Sequence, residues 1–199
     1  MKRVSLVGIG RLSGATFGPT AGRPRFSLTG RFCHRPADEA KPALGRIGEL
    51  LLSEDILLDV DVSSKSRLID EIGCHMQRVH ALSRESVVLS LTHREQIGST
   101  GLGQGVAIPH ARVKDLDRIR VAYLRLKSPI AFDSPDGNPV SHILVLLVPK
   151  QAAEEHLTIL AEAAQMLSDR RFREQLHLCR HAPGVKQLFE TWPGNGPGH

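Results

Sequence analysis

Apolar positions change their spacing several times along this 199-residue chain, and the changes mark its elements. Ile47, Leu50 and Leu51 fit one face of a short helix, and Ile56–Val60 reads as a strand. Leu68, Ile72 and Met76 recur every four residues, so a helix follows, capped by Ser63 or Ser64. A further helix starts near Ser83 and carries Val87, Val88 and Leu91 toward Arg94, until glycines from Gly98 onward stop it. Beyond His110 the period shortens. Val121–Leu126 alternates weakly, and Ile143–Val148 has the apolar density of a central strand covered on both faces and closed by Pro149. Pro135-Asp136-Gly137-Asn138 marks a turn. A long helix over about 152–167 presents Leu157, Leu160, Ala164 and Leu167 as its stripe, and Ser168 or Asp169 caps a last helix with Phe172, Leu176 and Cys179. The sum is an α/β fold with a mixed β-sheet and helices on both faces.

Composition changes this picture little. Aromatic residues are only 4%, so the core rests on Leu, Ile, Val and Ala. A domain of about 150 residues buries roughly 70% of its unfolded surface and needs no disulfide or structural metal. Cys33, Cys74 and Cys179 are too few and too scattered for either, and are expected as free thiols. Ten histidines invite a zinc reading, but no Cys/His spacing supports a closed site, and no metal or cofactor is expected. His75, His80 and His93 read as packed or solvated, His142 as structural, and His177, His181 and His199 need no special role.

Charge is informative through its position. Of 26 basic and 21 acidic residues, 1–41 hold eight Lys/Arg but only Asp38 and Glu39, so the body is close to neutral. Residues 1–42 are therefore expected as a disordered basic leader, 43–190 as the folded domain and 191–199 as a flexible tail. A neutral body argues against general nucleic-acid binding. The rival use of the leader as a nucleic-acid-binding module predicts salt-dependent binding that vanishes with its removal. No apolar run approaches a membrane span, so no stable membrane insertion is expected and the localisation is read as cytoplasmic.

The chemistry concentrates in Gly98–His110. Gly98, Gly101, Gly103 and Gly105 permit positive φ and can expose amides as an anion nest, while Pro109 stiffens the approach to His110. No Gly-Lys-Ser/Thr follows, and a helix rather than a strand precedes, so neither a Walker loop nor a dinucleotide fingerprint fits. These residues alone leave His110 open between a reactive group and an ordinary loop histidine.

The stretch from Glu95 to His110, ending Val106-Ala107-Ile108-Pro109-His110, resembles the active-site signature of phosphotransferase system IIA domains of the mannitol/fructose class. The likeness extends from about Gly45 to Leu178, through Ser128–Gly137 and Glu155-His156-Leu157, and is greatest to the nitrogen-regulatory branch. It implies the mannitol/fructose-type IIA fold and phosphotransferase-type chemistry with a protein substrate. His110 would accept a phosphoryl group, as a tele-phosphohistidine, from an HPr-type phosphocarrier. His156 would assist as a second site histidine and Arg94 would clamp phosphoryl oxygens, with weaker hydroxyl contacts from Ser99 and Thr100. Regulatory targets such as potassium-transport or sensor-kinase components would read the phosphorylation state. A stand-alone mannitol/fructose-type IIA donating to a sugar-specific IIB is the alternative within the resemblance.

Overall fold

The computed structural model describes residues 46–151 and 155–193. The expected leader (1–42) and most of the expected tail (194–199) lie outside the described residues.

Six strands form one mixed sheet. Helix α1 (Arg46–Leu50) leads into β1 (Leu51–Val60), followed by α2 (Lys65–His80) and α3 (Arg84–Ile97). Three short strands come next, β2 (Gly101–Gly103), β3 (Val106–Ala107) and β4 (His110–Val113). The long strands β5 (Arg120–Ile130) and β6 (Val140–Pro149) precede α4 (Glu155–Ser168), α5 (Arg170–Leu178) and α6 (Ala182–Thr191). The sheet order is β1-β5-β6-β3-β2, with β4 also pairing with β6. β5 and β6 are antiparallel, while β1 runs parallel to β5, and β3 and β4 run parallel to β6. The sheet is mixed, as the apolar pattern implied.

Alternation along the two long strands divides the core. Val121, Tyr123, Leu144, Leu146 and Val148 face α1, α4, α5 and α6. Ala122, Leu124, Ile143, Val145 and Leu147 face α2 and α3. Both faces are covered, which is why residues 121–126 and 142–148 are buried without a polar side. Caps fall where short polar side chains reach free amides. Ser64 Oγ accepts from Arg67 N, Ser83 Oγ from Ser86 N, and Asp169 from Arg171 N and Phe172 N.

Four expectations differ from the structure. Leu51 begins β1 rather than continuing a helix. The stripe of α4 is rotated: Ile159, Ala163, Met166 and Leu167 are buried, whereas Leu157 is 57% exposed. α5 is not the last helix, because α6 follows with Pro183 in its first turn, where a missing N–H costs nothing. Finally, the glycine segment is not simply a loop. It forms β2 and β3 and delivers His110 as the first residue of β4.

Candidate functional site

His110 sits where β4 meets the C-terminal half of β6, with its Cα opposite Leu146. Both flanks are tied down: Leu146 N donates to Pro109 O at 2.9 Å, and Ile108 N to Thr100 O at 3.0 Å. The glycines make this path possible. Gly103, Gln104 and Gly105 all have positive φ and turn β2 back into β3. A Cβ at Gly101 would come within 2.6 Å of Ser134 Oγ, so that strand approaches its neighbour closely. The expected anion nest is otherwise engaged, since Gln104 N donates to the Asp136 carboxylate at 2.6 Å. That bond, with Asn138, holds the Asp136 carboxyl below the usual carboxylate range. The turn grips an internal anion and works as an anchor.

The imidazole is held by two contacts. Nδ1 lies 2.9 Å from Ile108 O, an acceptor only, so Nδ1 carries the hydrogen. Arg94 Nε donates to Nε2 at 3.0 Å, which requires a lone pair there. The ring is thus a neutral Nδ1–H tautomer with Nε2 nucleophilic. Arg94 is steadied by a second bond, Nη1 to Gly98 O at 2.9 Å. Burial pushes the His110 pKa below its ordinary value of 6.5. The Ile108 carbonyl opposes that shift, the positive charge of Arg94 adds to it, Glu95 opposes and His156 adds.

A cavity of about 330 Å³ opens beside the ring between α3 and α4, lined by Arg94, Ile97, His110, Arg112, His156 and Leu160 among others. The structure therefore brings His110, Arg94 and His156 to one cavity. His93, read from sequence as packed or solvated, also lies on its wall. Ile97 and Leu102 are 73% and 44% exposed and border the hollows around His110. An apolar rim around a polar centre suits a protein partner more than a small sugar.

Ser99 and Thr100 border the neighbouring hollow with Arg94 and His110, but their hydroxyl hydrogens go elsewhere. Ser99 Oγ donates to Phe132 O at 2.7 Å, and Thr100 Oγ1 donates to Glu95 Oε2 at 2.6 Å. Both secure the loop rather than facing the imidazole as donors. Sequence reading missed the group that Thr100 depends on. Glu95 also accepts from Thr100 N and from Lys65 Nζ, at 3.2 and 3.0 Å. Lys65 in turn reaches Asp133 at 2.7 Å and lies over the Phe132 ring. Glu95 opens the signature stretch and was legible as part of it; Lys65 meets it only through folding.

Elsewhere, Glu54, Asp55 and His80 are the described residues that bring metal-type donor atoms together, within 4.8 Å. There His75 and His80 point Nε2 at the buried Asp55 carboxylate, at 2.8 and 2.7 Å, which accounts for the cluster by hydrogen bonding. Cys74 and Cys179 are free thiols. Among the described residues no helix is long and apolar enough to cross a membrane.

Comparison with known proteins identifies the family. Residues 49–191 match the family described as "Phosphoenolpyruvate-dependent sugar phosphotransferase system, EIIA 2". A nitrogen regulatory protein of Pseudomonas aeruginosa is 36% identical over 146 residues, 73% of this chain and 93% of that protein. One from Bradyrhizobium diazoefficiens is 34% identical over 147 residues, 74% of this chain and 96% of that protein. The crystal structure of nitrogen regulatory protein IIA-Ntr from Neisseria meningitidis superposes with a TM-score of 0.69 at 44% identity, covering 72% of this chain and 99% of that one. The mannitol IIA structure of Escherichia coli, at 20% identity and a TM-score of 0.60, shares the fold over 69% of this chain and 97% of its own. The chain belongs to the EIIA 2 family of the phosphoenolpyruvate-dependent sugar phosphotransferase system, and within it to the nitrogen-regulatory type of IIA phosphocarrier.

Proposed function

We propose that His110 Nε2 is the phosphoryl acceptor of this phosphocarrier, that an HPr-type phosphohistidine protein is its donor, and that Arg94 and His156 assist the transfer. The supporting observation is the tautomer: the bond to Ile108 O leaves the lone pair on Nε2, at the cavity rather than in the core. In the reaction that lone pair forms the new N–P bond as the donor's N–P bond breaks, and the departing imidazole keeps the electron pair. No proton need move at Nδ1, whose bond to Ile108 O spreads the charge gained by the ring. Arg94 Nε now points at the lone pair itself. As phosphorus approaches, the guanidinium exchanges nitrogen for phosphoryl oxygens, and its planar fork suits two of them. His156, near the start of α4, faces the same cavity and supplies a further donor.

Phosphorylation places about two negative charges between Ile97 and Leu102, on the rim a partner would cover. A change of charge there alters docking without a large conformational change. We infer that regulatory partners, such as potassium-transport or sensor-kinase components, read this surface. Transfer to a sugar-specific IIB is less favoured, since the nitrogen-regulatory relatives match at higher identity than the mannitol IIA structure.

Incubation with a phosphorylated HPr-type donor tests the assignment. The wild-type chain should acquire one acid-labile phosphohistidine, and His110→Ala should acquire none. Stable label at another residue of His110→Ala would overturn it.

A further inference from the structure

A second hollow, of about 510 Å³, lies between α5 and the beginning of β6, and nothing in the phosphoryl-transfer chemistry uses it. Its volume is within the usual range of small-molecule sites. Ser141 and His142 of β6, Gln104 of the β2–β3 turn, and Arg170, Arg173 and His177 of α5 line it. The one carboxylate on its described wall, Glu174, is taken by Arg170 at 2.8 Å. Arg173 and two imidazoles remain without an acidic partner on that wall.

His142 is the informative residue. It is only 6% exposed, and its Nδ1 lies 2.7 Å from the hydroxyl of the fully buried Tyr123. Burial drives the Tyr123 pKa upward, so the phenol keeps its hydrogen, and His142 Nδ1 is the acceptor within reach. His142 therefore carries its own hydrogen on Nε2. The hydrogen bond of this ring among the described residues is the one to Tyr123, and the ring opens onto the hollow beside His177 at a centroid distance of 6.0 Å. A donor that faces a hollow rather than a protein acceptor is open to a ligand. The surrounding charge has one sign: after burial itself, His177, Arg125 and Arg173 hold the His142 pKa down.

We propose that this hollow binds a small oxyanion, a phosphate group either free or carried as a monoester, through the His142 Nε2–H, His177 and Arg173. The anion accepts the His142 Nε2 hydrogen and supplies negative charge to a wall whose one described carboxylate, Glu174, is already paired with Arg170. Its position gives occupancy a route to the phosphorylation face. Arg173 also donates to Gln104 Oε1, and Gly105 O accepts from both Ser141 N and His142 N, at 2.9 and 3.1 Å. A ligand that draws Arg173 off Gln104 acts on the turn of the hairpin whose Leu102 borders the hollow of His110. The proposal stands independently of the acceptor role of His110.

The test uses the full-length chain carrying His110→Ala, so that the first cavity does not confuse the readout. Inorganic phosphate and AMP are titrated separately while the His142 and His177 ring resonances are followed by NMR. Saturable shifts of both rings are expected. Arg173→Gln should weaken binding about tenfold, whereas Arg171→Gln, two residues away on α5 and off the wall, should leave it unchanged. His177→Gln serves in its place if Arg173→Gln fails to fold. Tighter binding of AMP supports a phosphate ester as occupant, and equal affinities support free phosphate. No saturable ring shift with either probe, or equal weakening by Arg171→Gln, would overturn the site.

Discussion

The reactivity proposed for His110 rests on two neighbours that divide its nitrogens between them. The Ile108 carbonyl keeps the hydrogen on Nδ1, and Arg94 faces the lone pair on Nε2. Since burial holds its pKa below 6.5, the ring is already neutral at physiological pH. The labelling rate should therefore be flat through neutrality and fall only as pH drops below about 6.5. Arg94→Gln should slow transfer roughly 100-fold, by analogy with loss of one oxyanion donor. It should also move the acid limb of the rate profile upward, because a positive charge that depresses the pKa is gone; stopped-flow labelling across pH checks both. His142 makes a separate prediction. Burial, then the charges of His177, Arg125 and Arg173, lower its pKa to about 4, against about 6.5 unfolded. Its contribution is present above pH 6.5 and is lost as pH falls through about 4, to a total of about 3 kcal/mol. Urea unfolding at pH 7 and pH 4.5 should show this loss in the wild type and a smaller one in His142→Gln.

At the scale of elements, the signature loop is held by α2 and α3 as much as by its own strands. Glu95, at the end of α3, takes the amide and hydroxyl of Thr100, and Lys65, at the start of α2, compensates its charge. The two helices thereby set where the loop starts, while the β2–β3 turn on Asp136 and the Leu146–Pro109 bond set where it ends. Lys65→Met should leave Glu95 uncompensated. Glu95 raises the His110 pKa, so the acid limb of the labelling profile should shift upward together with a slower rate. An unchanged profile with an unchanged rate would show that the ion pair matters to neither. Such a pair is invisible in local pattern, because Lys65 occupies an ordinary N-terminal helical position. The same limit hid α6, whose Val185 and Phe189 are packed in the core.

For the whole molecule, the two faces of the sheet assemble one cavity from opposite sides. α3 belongs to the cluster with Ile143 and Leu147, α4 to the cluster with Leu144 and Leu146, and His110 lies on the strand at the edge between them. Among the described residues, both clusters run from Ile47 to Trp192, and the matched region runs from 49 to 191. Because the family match begins at residue 49, a variant lacking residues 1–42 should keep the labelling rate of the full chain. Any salt-dependent retention on nucleic acid should disappear with that segment. Measuring both properties on the two forms separates the phosphocarrier from the rival use of the leader.

Local pattern alone determined the long strands, five of the six described helices in outline, the alternatives for their caps and the near-neutral body, because burial periodicity and charge are written residue by residue. It also singled out Gly98–His110, since glycine spacing and Pro109 are local properties, and the resemblance attached a chemistry to them. Tertiary structure decided the remainder. Whether the glycines cradle an external anion or grip Asp136, where the hydroxyls of Ser99 and Thr100 point, and which nitrogen of His110 holds the hydrogen all depend on partners distant in sequence or on backbone direction. The meeting of Arg94, His110 and His156 at one cavity is likewise a product of packing. Sequence named the candidate segment; the sheet edge and its two flanking helices set which nitrogen of its histidine faces the cavity.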